Sequence, residues 1–211
     1  IASSMSFLHS NKILHRDLKP DNILLDEYLF PILADFGLSK DENVVKTTSE
    51  IKGTPLYIAP EIWEDNDYSE KSDVYAFAFI LFEIYANQNP FECFDFEIKS
   101  AISLANKIIK GLRPDTSAIE EPFKELIEKC WHHEPFKRPS FDEIVELLEN
   151  NDDFITENVE KEDFLAYVSY IKKSKKSFNK KVEIDPFSLS KTKIIKKVEL
   201  KKKMIYPKSK F

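Results

Sequence analysis

Glycine is almost missing from this sequence of 211 residues: Gly37, Gly53 and Gly111 are the whole supply. Three glycines so placed exclude both a G-x-G-x-x-G turn and a G-x-x-x-x-G-K loop, so any glycine-built phosphate cradle lies elsewhere. Cysteine is as scarce. Cys93 and Cys130 stand 37 residues apart, which excludes a disulfide framework and any C-x-x-C metal site. Long apolar runs are also lacking. The longest, Val74–Ala86, has 12 apolar residues of 13, broken by Glu83. A membrane span needs roughly 20 residues, so a buried helix is expected there and no transmembrane segment. Ile1–Ser10 carries no signal-peptide pattern. The sequence opens on Ile1 rather than Met and is expected to be a fragment.

What is present is enough for a globular core: 42% hydrophobic, 32% charged and 13% aromatic residues. The net charge of −6 hides two unlike parts. Residues 1–170 hold 16 basic and 34 acidic side chains, whereas residues 171–211 hold 15 lysines against Glu183, Asp185 and Glu199. That break is a candidate domain boundary between an acidic body and a basic tail.

Periodicity predicts a helix ending near His9, then short strands at Ile13-Leu14, Ile23-Leu24-Leu25 and Ile32-Leu33-Ala34, separated by Asp, Asn, Pro and Gly. Asp41–Ile51 is polar and reads as an exposed, mobile loop. The remainder reads as helical. Asp73–Ala86 is expected to be capped by Ser72. Phe96–Lys110 places Ile98, Ile102, Ala105 and Ile109 on one face. Glu121–Trp131 supplies Phe123, Leu126, Ile127 and Cys130. Ser140 with Glu143 forms a capping-box signature before Ile144, Leu147 and Leu148. Phe164, Leu165, Val168 and Ile171 suggest one more helix. No internal repeat is found.

The chemistry concentrates in His15-Arg16-Asp17-Leu18-Lys19-Pro20-Asp21-Asn22, followed by Asp35-Phe36-Gly37. Asp17, Asn22 and Asp35 are oxygen donors suited to a hard cation such as Mg²⁺, and Lys19 suits an anionic ligand beside it. Taken singly, each of these residues is better read as part of an Asx turn between strands.

Together they resemble the catalytic loop of eukaryotic protein kinases, H-R-D-L-x-x-x-N, and their D-F-G motif. The resemblance continues in order through Ala59-Pro60-Glu61, Ser72-Asp73-Val74-Tyr75 and Lys137-Arg138-Pro139. It covers residues 1–150 and implies an α+β, mostly α fold. That fold is the C-terminal lobe of a protein kinase, a helical bundle with a few short strands near the catalytic loop, with the N-terminal lobe absent. Residues 151–211 fall outside it and are expected to be helical, then lysine-rich.

The resemblance implies ATP and Mg²⁺ as cofactors and protein serine and threonine hydroxyls as substrates. It makes Asp17 the acceptor of the substrate hydroxyl proton and Lys19 the cation that offsets charge on the transferred phosphoryl. It gives Asn22 and Asp35 to the metal, with Lys19, Asn22, Leu24 and Asp35 forming part of the nucleotide site. Leu24 reads either as the apolar floor beneath the adenine or as an ordinary core leucine. His15 and Phe36, with Gly37, are implied as packing beneath the site, Asp73 as the anchor of the loop backbone, and Glu61 with Arg138 as a buried ion pair. Lys19-Pro20 and Gly53-Thr54-Pro55 resemble the serine/threonine type, with Thr54 bonding Lys19 and Asp17 to seat the substrate. Ser69-x-Lys71-Ser72-Asp73-Val74-Tyr75 is closest in wording to the tyrosine-kinase-like group. Arg16 is expected to receive a phosphate carried by Thr47, Thr48 or Ser49, the alternative being a polar loop that is merely soluble.

Ala78 stands where the family usually has glycine. No strand lysine of the V-A-I-K type and no partner glutamate can be placed, so the isolated chain is expected to be inactive. The competing function class is a non-catalytic kinase remnant acting as a protein-binding scaffold. His132-His133 are adjacent, diverge, and make no metal site. Lys172-Lys173, Lys175-Lys176 and Lys201-Lys202-Lys203 suit contact with acidic surfaces or a solvated tail. Regulatory proteins are open as partners, no obligate nucleic acid is expected, and a cytoplasmic location is.

Overall fold

The computed structural model describes residues 1–27, 29–41, 51–90, 92, 100–157 and 159–178. It is mostly helical with few strands. Helix α1 (Ala2–Ser10) leads into β1 (Ile13–Leu14), β2 (Ile23–Leu25), β3 (Pro31–Leu33) and β4 (Lys40–Asp41). The helices α2 (Pro60–Asp65), α3 (Glu70–Ala86), α4 (Ala101–Ile109), α5 (Phe123–Cys130), α6 (Phe141–Asn150) and α7 (Lys161–Phe178) follow. The strands make two antiparallel pairs, β1 with β4 and β2 with β3. In the second pair Ile23 faces Leu33, Leu24 faces Ile32 and Leu25 faces Pro31.

The centre of the molecule is α3. Every residue from Ser72 to Phe82 is buried. A helix apolar all round has no solvent face to offer and has to be surrounded by other elements. On one side α5 contributes Leu126, Ile127 and Cys130, and Trp131 packs against Phe79 and Phe82 with ring centroids 5.4 and 6.0 Å away. On another, α1 and α6 pack together, and Phe141 meets both His9 and Phe77 at 5.2 Å. Removing each such aromatic side chain from water contributes roughly 1.5–3 kcal/mol.

The helix starts with Ser69, three residues earlier than the expected Ser72 cap. Ser72 instead sits at the third helical position, where its Oγ accepts the Ser69 N–H at 3.2 Å and donates to the Ser69 carbonyl at 2.6 Å. The polar first turn Glu70-Lys71 conceals this start from the apolar pattern. Asn66 and Asn87 close α2 and α3 in the left-handed conformation, with φ of 54° and 48°. Asn is among the few residues that adopt this geometry without severe strain.

Helix α4 also departs from expectation. Ser100 caps it by accepting the Ser103 N–H at 3.1 Å, so the helix begins at Ala101. Its buried face is Leu104, Ala105 and Ile108, whereas Ile102 is 74% exposed. The face is set by α2 and by the turn Pro55–Tyr57, which it packs against. Ile98 lies outside the described residues. The Ser140–Glu143 capping box is present, with Glu143 Oε2 accepting the Ser140 N–H at 2.7 Å and Ser140 Oγ accepting the Glu143 N–H at 3.2 Å.

Helix α7 approaches the β2–β3 turn. Phe30 stacks on Tyr167 with centroids 5.7 Å apart and planes 5° from parallel, and on Tyr170 at 6.1 Å. Lys172 pairs with Glu149 of α6 at 2.9 Å. Among the described residues no helix is long and apolar enough to cross a membrane.

Candidate active site

The loop from His15 to Asn22 is held from below by Asp73, in the first turn of α3 and 2% exposed. Its Oδ2 accepts the backbone N–H of His15 at 2.8 Å and its Oδ1 that of Arg16 at 2.9 Å. His9 Nε2 lies 3.0 Å from Oδ2. Burial alone would raise this carboxyl's pKa, but the His9 hydrogen bond, the nearby His9 and His15 charges and the His15 N–H together hold it below the usual carboxylate value. Both carboxylate oxygens are thus committed, and the loop backbone takes a conformation it would not choose alone: Arg16 has φ of 69°.

That anchoring turns Asp17 toward Thr54. Thr54 Oγ1 donates to Asp17 Oδ1 at 2.9 Å and accepts from Lys19 Nζ at 2.7 Å. Lys19 Nζ also lies 2.9 Å from Asp17 Oδ2. Asn22 Nδ2 donates to the Asp17 carbonyl at 2.7 Å and to Asp17 Oδ2 at 3.2 Å. One carboxylate therefore gathers a hydroxyl, an ammonium and an amide from residues up to 37 positions away.

Asp35 follows β3 in the left-handed conformation, φ 59° and ψ 71°, and its Oδ1 accepts the Gly37 N–H at 3.2 Å. A Cβ on Gly37 would sit 3.0 Å from that oxygen, so the turn leaves little room for a side chain there. His15 packs on Phe36 with centroids 5.4 Å apart, and its Nε2 is 3.2 Å from the Ala34 carbonyl. Gly53 has φ of 114°, and a Cβ there would meet the Arg16 carbonyl at 2.9 Å. The segment carrying Thr54 can approach the loop this closely only without a side chain at 53.

Metal-binding chemistry is tested by the donor set. Asn22 spends its amide nitrogen on Asp17, which leaves Oδ1 as the other polar atom of its side chain, and Asp35 Oδ1 accepts the Gly37 N–H. Both then offer oxygen, the donor a small hard cation prefers. The residues fit Mg²⁺. Leu24 is 41% exposed and stands opposite Ile32 at 42%, so it is no core leucine.

Arg138 is fully buried and gives all its donors away. Nη1 and Nη2 reach Glu61 Oε1 and Oε2 at 2.7 and 2.8 Å, Nε reaches the His132 carbonyl at 2.7 Å, and the Lys71 and His133 carbonyls complete the set. The second loop histidine is exposed, and His132 Nδ1 accepts the Glu134 N–H at 3.0 Å. Thr47, Thr48 and Ser49 lie outside the described residues.

Two contacts near the site had no local signal in the sequence. Tyr57 donates to Glu83 Oε1 at 2.9 Å, and burial first, then the charge of Asp21, keeps the Glu83 carboxyl above its usual pKa. Tyr68 lies against Arg16, 52 residues earlier.

The family model described as the protein kinase domain matches residues 1–148. The chain belongs to the protein kinase domain family. A probable serine/threonine-protein kinase of Dictyostelium discoideum is 38% identical over 70% of this chain and 16% of its own length. The RGS domain-containing serine/threonine-protein kinase A of the same organism is 39% identical over 71% of this chain and 13% of its own length. A serine/threonine-protein kinase of Arabidopsis thaliana is 35% identical over 70% of this chain and 25% of its own length. The chain thus spans a quarter or less of each of these curated relatives. Protein kinases as a family use ATP and Mg²⁺ and act on protein substrates.

Proposed function

We propose that residues 1–150 are the C-terminal lobe of a serine/threonine protein kinase closest to the tyrosine-kinase-like group, and that residues 151–211 are an extension to it. One observation carries the reading: Lys19, Thr54 and Asn22 converge on the single carboxylate of Asp17 within 3.2 Å. A scaffold has no need of that convergence.

ATP supplies the phosphoryl group and Mg²⁺ neutralises charge on its phosphates. Asn22 Oδ1 and the Asp35 carboxylate would hold the metal. Asp17 orients the substrate hydroxyl and takes up its proton at the carboxylate. Lys19 places its ammonium where negative charge grows during transfer. Thr54 sets the spacing between the two, and Leu24 offers its apolar face to the base. Arg16, whose buried Nε and Nη2 find no hydrogen-bond partner among the described residues, supports phosphate capture from Thr47, Thr48 or Ser49.

The test is transfer of labelled phosphate from ATP to a peptide library by the full-length protein. Label on serine and threonine, abolished in Asp17→Asn, is expected. Label confined to tyrosine, or transfer that survives Asp17→Asn, overturns the reading.

A further inference from the structure

Tyr68 sits in the short stretch between α2 and α3, outside every motif that marks the site, and is 3% exposed. Its hydroxyl is used twice on one residue. It accepts the Lys52 N–H at 2.5 Å and donates to the Lys52 carbonyl at 2.7 Å. Lys52 lies two residues before Thr54, with Gly53 between them closing on the Arg16 carbonyl. The other end of the same side chain faces the catalytic loop: the Arg16 guanidinium lies over the Tyr68 ring, 4.2 Å from its centroid.

That stacking matters because Arg16 is poorly held otherwise. The side chain is buried, its Nη1 reaches the Leu38 carbonyl only at 3.5 Å, and its Nε and Nη2 have no hydrogen-bond partner among the described residues. A desolvated guanidinium over an aromatic face is attracted by the ring quadrupole, and this is the closest such pair among the described residues. One tyrosine therefore grips both strands of chain that meet at Asp17: Arg16 immediately before it, and the Lys52–Thr54 segment whose hydroxyl bonds it.

We infer that Tyr68 is a positioning residue for phosphoryl transfer, setting Thr54 against Asp17 through Lys52 while fixing Arg16 by its ring. The inference rests on the kinase reading above and deepens it. Tyr68 touches no reacting atom. Its effect passes through the register of Lys52–Thr54, and so falls on seating of the protein substrate and on the transfer step, leaving nucleotide binding aside.

The experiment compares Tyr68→Phe, Tyr68→Leu and Asp17→Asn in the full-length protein. Phenylalanine keeps the ring under Arg16 and removes both bonds to Lys52. Each lost hydrogen bond is expected to cost roughly 2- to 12-fold. For Tyr68→Phe, which loses two, KM for a peptide substrate should rise by about 4-fold or more while KM for ATP stays near wild type. Tyr68→Leu should lower peptide kcat/KM further. The Lys52 amide should exchange its hydrogen at least about tenfold faster in Tyr68→Phe, a readout independent of catalysis. Unchanged peptide kinetics or unchanged Lys52 exchange overturns the inference. So does a fall in kcat that tracks lost folded protein with both KM values intact. Activity surviving in Asp17→Asn defeats the kinase reading instead, so the two failures are distinguishable.

Discussion

Arg138 and Glu61 face each other through two parallel hydrogen bonds of 2.7 and 2.8 Å, across 77 residues of chain, with the guanidinium fully withdrawn from water. The pair ties the first turn of α2 to the turn before α6. The remaining guanidinium donors go to carbonyls of Lys71, His132 and His133, so two further segments depend on the same side chain.

Arg138→Leu leaves the Glu61 carboxylate, 11% exposed, without its partner. Loss of one partner from such a pair costs about 3–5 kcal/mol. Urea denaturation should show a loss of that size, and replacing both partners with apolar residues should recover part of it. A loss below about 1 kcal/mol would contradict the structure.

Thr54→Ala removes the hydroxyl that bridges Asp17 and Lys19. Hydrogen bonds to charged groups contribute about 1.5–3 kcal/mol each, so kcat/KM should fall by roughly 10- to 100-fold. Thr54→Ser restores the oxygen and should regain most of the rate. Steady-state kinetics on the full-length protein decides this, and equal rates for threonine and alanine would remove Thr54 from the site.

Asp73 predicts an acid limb. Its native pKa lies below the ordinary carboxylate value, so the unfolded chain binds the proton more readily. The stabilisation is complete above the unfolded value of about 3.9 and is lost as pH falls through the native one. Asp73→Asn should be less stable at neutral pH and should lose less on acidification from about pH 5 downward. Denaturation midpoints over that range test both signs together.

Cys130 is buried and its thiol is pushed up to about 12 by burial, partly offset by the charges of Arg138 and Lys71. The thiolate is the reactive form. Iodoacetamide at neutral pH should leave the Cys130 peptide unlabelled in the folded protein and label it in denaturant, as read by peptide mass mapping. Rapid native labelling would show that α5 opens readily.

Much of this was legible beforehand because it is local. Ser140 and Glu143 are three residues apart and announce a helix start without help from the rest of the chain. The polar run His15–Asn22 and the Asp35-Phe36-Gly37 turn state their chemistry by residue type and spacing. What failed to show is long-range or degenerate. Ser69 and Ser72 both suit a cap, and only the backbone decides between them. In α4 the stripes Ile102–Ala105–Ile109 and Leu104–Ala105–Ile108 satisfy the same period, and the choice belongs to whatever packs alongside. Strand β4 is Lys40-Asp41, polar residues recruited by backbone pairing with Ile13-Leu14. The grip of Tyr68 on Arg16 and Lys52 has no sequence periodicity at all.

The hairpin of β2 and β3 has a consequence for how this site tolerates change. Asn22 stands immediately before its first strand, Asp35 two residues after its second, and the Ala34 N–H donates to the Asn22 carbonyl at 2.9 Å at the open end. The ladder works as a gauge block: it sets the spacing of the two oxygen-bearing side chains at its root, whatever loop closes its far end. A change of length or composition at the closed end of the hairpin therefore need not disturb that spacing. A slip of one position along the ladder would instead turn Leu24 to the opposite face and throw the root out of gauge.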